Sequence, residues 1–215
     1  MNNDIKESFN PVRRQVPYLP CKQISGEGIF INFNYEKIEN WILNNKGFLE
    51  RSAQLKNNSK NDYMKHLELN FHPGFILIHT FSHLLMLQLS LECGYSITDL
   101  KERLYFSLDN KMAGVLIYTA SSDSQGSLGG LVRMIEPKYF ENTLENLKIN
   151  SYSCSNDPIC IESSGQGHAG LSLSGCHACS MIPDLACGIF PTNVFLDRAT
   201  LIGDSKNLNG YFDET

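Results

Sequence analysis

The chain has 215 residues, is 42% apolar and carries a formal net charge of −5. That is enough apolar material for a real core in one large domain, or in one domain with an appended region. A protein that gripped DNA alone would show a basic excess, so any nucleic-acid contact must be local or shared with a partner.

The start, "MNNDIKESFN", is polar and has no apolar stretch of the secretory type, so a cytoplasmic chain is expected. Residues 1–24 read as irregular because Pro11, Pro17 and Pro20 interrupt any regular element. "GIFINF" (28–33) is β-branched, aromatic and alternating, which predicts a strand. "NYEKIENWILNN" has helical spacing at Ile38, Trp41 and Ile42. The polar stretch 46–65 reads as a mobile loop or frayed helix.

The longest apolar run is "FILIHTFSHLLMLQLSLE" (75–92). Its length is at the lower limit for a membrane span, but His79, Ser82, His83, Gln88 and Glu92 would be costly in lipid. It is expected to be a central buried helix, with Pro73 in its first turn, Gly94 at its C-cap and no membrane contact. Ser96 and Asp99 resemble a capping box and predict a second helix over about 97–106. "AGVLIYTA" (113–120) predicts a strand buried on both faces, followed by the loop "SSDSQGSLGG". "PKYFENTLENLKI" places Phe140, Leu144 and Leu147 on one helical face. Helices alternating with buried strands predict a mixed α+β (α/β) fold with a central sheet. The expected boundaries are an irregular segment 1–24, a single domain 25–203 and a loose tail 204–215.

Five of the seven cysteines lie between residues 154 and 187. In a reducing compartment such crowding points to metal binding before disulfides. Cys176 and Cys179 form a Cys-x-x-Cys pair, whose backbone N–H groups can point at two thiolates on one ion. Cys187 follows past the Pro183-Asp184 turn, and Cys160 precedes across the flexible loop "ESSGQGHAGLSLSG". Cys154 is a fifth candidate, and His168 and His177 are weaker ones. A thioredoxin-like redox pair should open a helix after a strand, which this glycine-rich approach does not favour. Iron–sulfur clusters also use four cysteines, and spacing alone does not separate them from zinc.

His79 and His83 share a helix face, but "HTFSH" lacks the glutamate of His-Glu-x-x-His. They read first as hydrogen-bonded core histidines and second as part of a site. Asp123, in the loop after the buried strand, either caps the next helix or faces a ligand. No Walker-type phosphate loop and no Gly-x-Ser-x-Gly elbow is present.

Four stretches together, "ISGEGIFINF", "HPGFILIHTFSHLLMLQLSLECGYS", "GVLIYTASSDSQGSLGGLV" and "CSNDPICIE…CHACSMIPDLACGIFPTNVFLDRATLIG", resemble a known family. Their order is similar to the C-terminal part of the B subunit of DISARM, a bacterial anti-phage system. The same zinc-binding module is appended to Mrf-type DNA-repair helicases. The resemblance implies a four-cysteine zinc site, best matched by Cys160, Cys176, Cys179 and Cys187, with Cys154 as the alternate ligand. It also implies a partner, a superfamily-2 helicase subunit or other defence-complex protein, and DNA met through the complex. It supplies no catalytic residues. The leading expectation is therefore a non-catalytic zinc-binding accessory subunit. The alternative is a nuclease or phosphoesterase-like enzyme using His79, His83 and Asp123. Arg13, Arg14, Lys22 and Arg133 are the candidate local phosphate contacts, read otherwise as solvated surface. Metal analysis of protein never exposed to chelator should find stoichiometric zinc or iron; protein essentially free of both metals would refute the metal reading.

Overall fold

A computed structural model describes residues 26–59, 70–119, 130–204 and 208–213. Three strands, β1 (Gly28–Asn32), β2 (Leu100–Ser107) and β3 (Met112–Thr119), form an antiparallel sheet in the order β1-β3-β2. The apolar run "AGVLIYT" is the central strand, with Ala113, Val115 and Ile117 almost fully buried. Six helices surround it among the described residues: α1 (Tyr35–Asn44), α2 (Gly47–Asn58), α3 (Pro73–Cys93), α4 (Gly130–Arg133), α5 (Pro137–Ser151) and α6 (Ala199–Ile202). The fold is mixed α+β, with α3 as its axis.

Helix α3 starts where Pro73 occupies the first turn and the His72 side chain accepts from the Gly74 N–H. It stops where Gly94 takes a left-handed conformation (φ 74°) and returns its N–H to Ser90. The helix is apolar on every face because it is covered on every side, by β2 and β3, by α1 and α2, and by α5 and α6. It is long and apolar enough to cross a membrane by length and composition, yet most of it is buried inside the protein. A second apolar cluster, Leu55, Phe75, Ile76, Leu171, Leu173, Val194 and Phe195, seats the irregular C-terminal segment on α2 and on the start of α3.

The structure departs from the sequence reading in two of these elements and decides between the alternatives in a third. Residues 97–106 are not a helix: a single 3-10 turn (Ile97–Asp99) leads into β2, and Ser96 makes no capping bond. Leu100 and Glu102 face inward and Arg103 outward, a two-residue period that pairing with β3 selects over local helical preference. Within 46–65, residues 47–58 form a helix because Phe48, Ser52 and Leu55 align on one buried face. The tail expected to be loose is docked where it is described. Tyr211 lies in the core edge-on to Trp41 at 5.9 Å, and the indole N–H of Trp41 donates to the Asn209 carbonyl at 3.0 Å. The loop 120–129, including Asp123, and residues 1–25 with Arg13, Arg14 and Lys22 lie outside the described residues.

Because Tyr211 fills a cleft beside Trp41 and Phe33, Tyr211→Ala should cost on the order of 3 kcal/mol of stability, read as a lower urea midpoint. An unchanged midpoint would return residues 208–213 to the status of a loose tail.

Candidate metal centre

After α5 the chain runs from residue 152 to 198 with only one short 3-10 turn, His168–Gly170, among its elements. A segment of this kind must satisfy its backbone by other means, and four cysteines gather in it. Cys154, Cys160, Cys176 and Cys179 bring their sulfurs within 4.8 Å of one another. The sulfur separations are 3.5 Å for Cys154–Cys176, 3.7 Å for Cys176–Cys179 and 3.8 Å for Cys160–Cys179. Four sulfurs on a tetrahedral zinc with bonds of about 2.3 Å would stand about 3.8 Å apart.

Hydrogen-bond donors converge on the sulfurs. The Cys176 N–H points at the Cys179 sulfur (3.3 Å), the Ala178 N–H at the Cys176 sulfur (3.4 Å) and the Asn156 N–H at the Cys154 sulfur (3.4 Å). The Asn156 and Gln166 side-chain amides add donors to the Cys176 and Cys160 sulfurs. A proton shared with Cys160, 3.8 Å away, brings Cys179 down to about 5 and drives Cys160 upward. Burial first, then the nearby thiols, lifts Cys154 to about 11.

Arg198 supplies the opposing charge. Its side chain is fully buried, donates to both Asp157 oxygens at 2.6 and 2.7 Å, and donates to the Ser151 carbonyl. Burial opposes its charge, but Asp157, Cys179 and Cys160 outweigh that and raise its pKa. Asp157 also caps the turn that carries Cys160, accepting from the Ile161 N–H. A second fork, Arg51 onto both oxygens of Asp197 at 2.7 Å, ties α2 to the residue before Arg198.

Cys160, Cys176 and Cys179 thus meet as the spacing led one to expect, but the fourth corner is Cys154. Cys187 faces elsewhere. Past the Pro183-Asp184 turn, the Asn193 side chain bridges the Ile182 N–H and carbonyl, folding the loop back so that Cys187 lies against α3. There it joins His79, His83 and Glu102 in a separate group. His168 and His177 are exposed and in neither group. Arg133 lies over the Tyr139 ring and donates to its hydroxyl. Glu102 and Arg198 escaped sequence reading. Glu102 was hidden by the helical assignment of its strand, and a lone arginine gives no local sign of burial.

Residues 81–180 match the MrfA Zn-binding domain. All four clustered cysteines fall inside that span and Cys187 after it. The zinc-binding domain and the four-cysteine cluster agree on the cofactor, which is zinc. The chain is also similar to the DISARM protein DrmB of Bacillus paralicheniformis, 37% identical over 194 residues. The alignment takes in 88% of this chain and 34% of the relative, so the chain spans about a third of the length of the curated protein it matches. The resemblance carried by the four sequence stretches is met by both matches.

Removing Arg198 strands Asp157 and leaves the thiolates without their cation. Arg198→Met should therefore destabilise the chain by about 3 kcal/mol and weaken zinc retention against a competing chelator. Unchanged zinc retention would mean that Arg198 serves packing alone.

Proposed function

We propose that this chain is a non-catalytic zinc-binding subunit of a bacterial anti-phage defence complex. In this reading it docks on a superfamily-2 helicase or similar partner in the cytoplasm and helps that partner hold DNA. Cys154, Cys160, Cys176 and Cys179 hold the zinc. The observation that carries the reading is the tetrahedral spacing of these sulfurs inside a span that matches the MrfA Zn-binding domain, in a chain similar to a DISARM protein. Zinc at such a site supplies folding free energy on the order of 10 kcal/mol in small modules. Here it would hold the Cys154–Cys160 turn to the Cys176–Cys179 knuckle. The unit it staples is a single domain that starts near residue 25 and takes in 208–213.

Binding through a complex suits the charge of −5, because an acidic subunit gains little from phosphates on its own. The non-catalytic assignment rests on the burial of His79 and His83, whose side chains have no exposure through which a substrate could reach them. Co-expression with a superfamily-2 helicase subunit of a DISARM system should yield a stable complex that binds DNA more tightly than the helicase alone. The Cys176→Ser variant should lose the zinc of the four-cysteine cluster and the complex together. No association, or no gain in DNA retention on filters, would sink the docking and DNA parts respectively.

A further inference from the structure

Beneath the cysteine cluster a second set of donors converges. Helix α3 presents His79 and His83 one turn apart, β2 sends Glu102 inward, and the loop after Pro183 brings Cys187. Their four donor atoms lie within 4.8 Å of one another. Oε1 of Glu102 is 3.1 Å from His79 Nε2 and 3.2 Å from His83 Nε2, and Cys187 Sγ is 3.5 Å from His79 Nε2. A tetrahedral ion with bonds of about 2.0–2.3 Å sets nitrogen–oxygen edges near 3.3 Å and nitrogen–sulfur edges near 3.6 Å.

The hydrogen-bond pattern gives a second reason. His83 Nδ1 lies 2.9 Å from the Ser180 carbonyl, which can only accept, so Nδ1 carries the hydrogen. In the neutral ring Nε2 is then a lone pair aimed at the lone pairs of Glu102 Oε1. A backbone carbonyl orienting an imidazole in this way is the usual outer support of a metal-bound histidine. The other carboxylate oxygen, Glu102 Oε2, is buried without a hydrogen-bond partner among the described residues. The Gly188 N–H donates to Oε1 at 3.1 Å. A Cβ at residue 188 would stand 2.7 Å from the Glu102 carbonyl, so only glycine lets the loop approach β2 this closely.

Packing gives a third. The two imidazoles stand with ring centres 4.4 Å apart, edge to face, around one carboxylate oxygen and one sulfur inside the core. One divalent ion at the centre would satisfy all four donors at a single point.

We propose that His79, His83, Glu102 and Cys187 form a second metal site, for zinc or a divalent ion of similar softness. Nitrogen, oxygen and sulfur donors in one set suit zinc. Four protein donors, three of them fully buried and Cys187 half-buried, leave no open position, so the site is a staple and not a catalytic centre. It binds α3, β2 and the C-terminal loop to one point. Ser180 joins it to the first cluster, lending its carbonyl to His83 and following Cys179 in the chain. His79 and Cys187 lie outside the span matched to the zinc-binding domain, so the family match does not imply this site.

The test is the metal content and ligand shell of the full chain, loaded with excess zinc and desalted. Two ions per chain are expected. X-ray absorption at the zinc edge should then read five sulfur and three nitrogen or oxygen donors over the two ions, a measurement that needs no substitution. The His83→Gln/Cys187→Ser variant should fall to one ion with an all-sulfur shell. The Cys154→Ser/Cys176→Ser variant should retain one ion with a nitrogen-rich shell. A single ion in the wild-type chain with an all-sulfur shell overturns the proposal. A single ion with one sulfur and three lighter donors supports it and removes the four-cysteine assignment instead.

Discussion

The structure depends on how an irregular segment of more than forty residues is held against a helix that is buried on every side. Residues 152–198 contain almost no helix or strand, so few of their backbone groups are paired within regular elements. Their cohesion comes from sulfur, from two arginine–aspartate forks and from short backbone pairings such as Leu173 with Leu196. The forks and the backbone pairing join residues well apart in the chain, and the sulfurs gather residues 154 to 179. A bound ion that draws such a segment together contributes directly to folding.

Helix α3 carries the other half of the constraint. An apolar helix that buries all its faces leaves its polar side chains in need of partners, and most of those on α3 find them among the described residues, Ser82 excepted. Thr80 bonds the Ile76 carbonyl and accepts from the Asp197 N–H, and Gln88 meets Glu92 and Asn150. His79 and His83 meet Glu102 and Cys187. The polar atoms of α3 are thus the points at which the sheet and the C-terminal segment attach. Asp197 shows the economy of this arrangement: it pairs Arg51 from α2, touches Thr80 through its N–H, and precedes the arginine that faces the thiolates.

The two donor groups sit on either side of Ser180 and differ in character. The cysteine group is local, drawn from one stretch of chain, and its sulfurs accept N–H bonds from their own loops. The histidine group spans residues 79 to 187 and joins three elements. The first shapes a knuckle and the second locks that knuckle's base to the core. Together they tie a C-terminal half that is largely coil to the core.

By itself the sequence determined the elements whose signal is local. These include the central strand from its unbroken β-forming run, α3 from its length with Pro73 and Gly94 at its ends, and α5 from its apolar face. It also marked the crowded cysteines as a metal module through their spacing, and the four familiar stretches, local as well, made that metal zinc. Tertiary structure decided the rest. Whether residues 100–107 became helix or strand turned on the exposed edge of β3, which no local pattern records. The choice of Cys154 over Cys187 turned on where the Pro183-Asp184 turn sends the chain. Spacing measures how far a sulfur can reach and not which way its loop folds, so the fourth corner of the cluster and the grouping of Cys187 with two helical histidines and a strand glutamate appear only once the chain has packed.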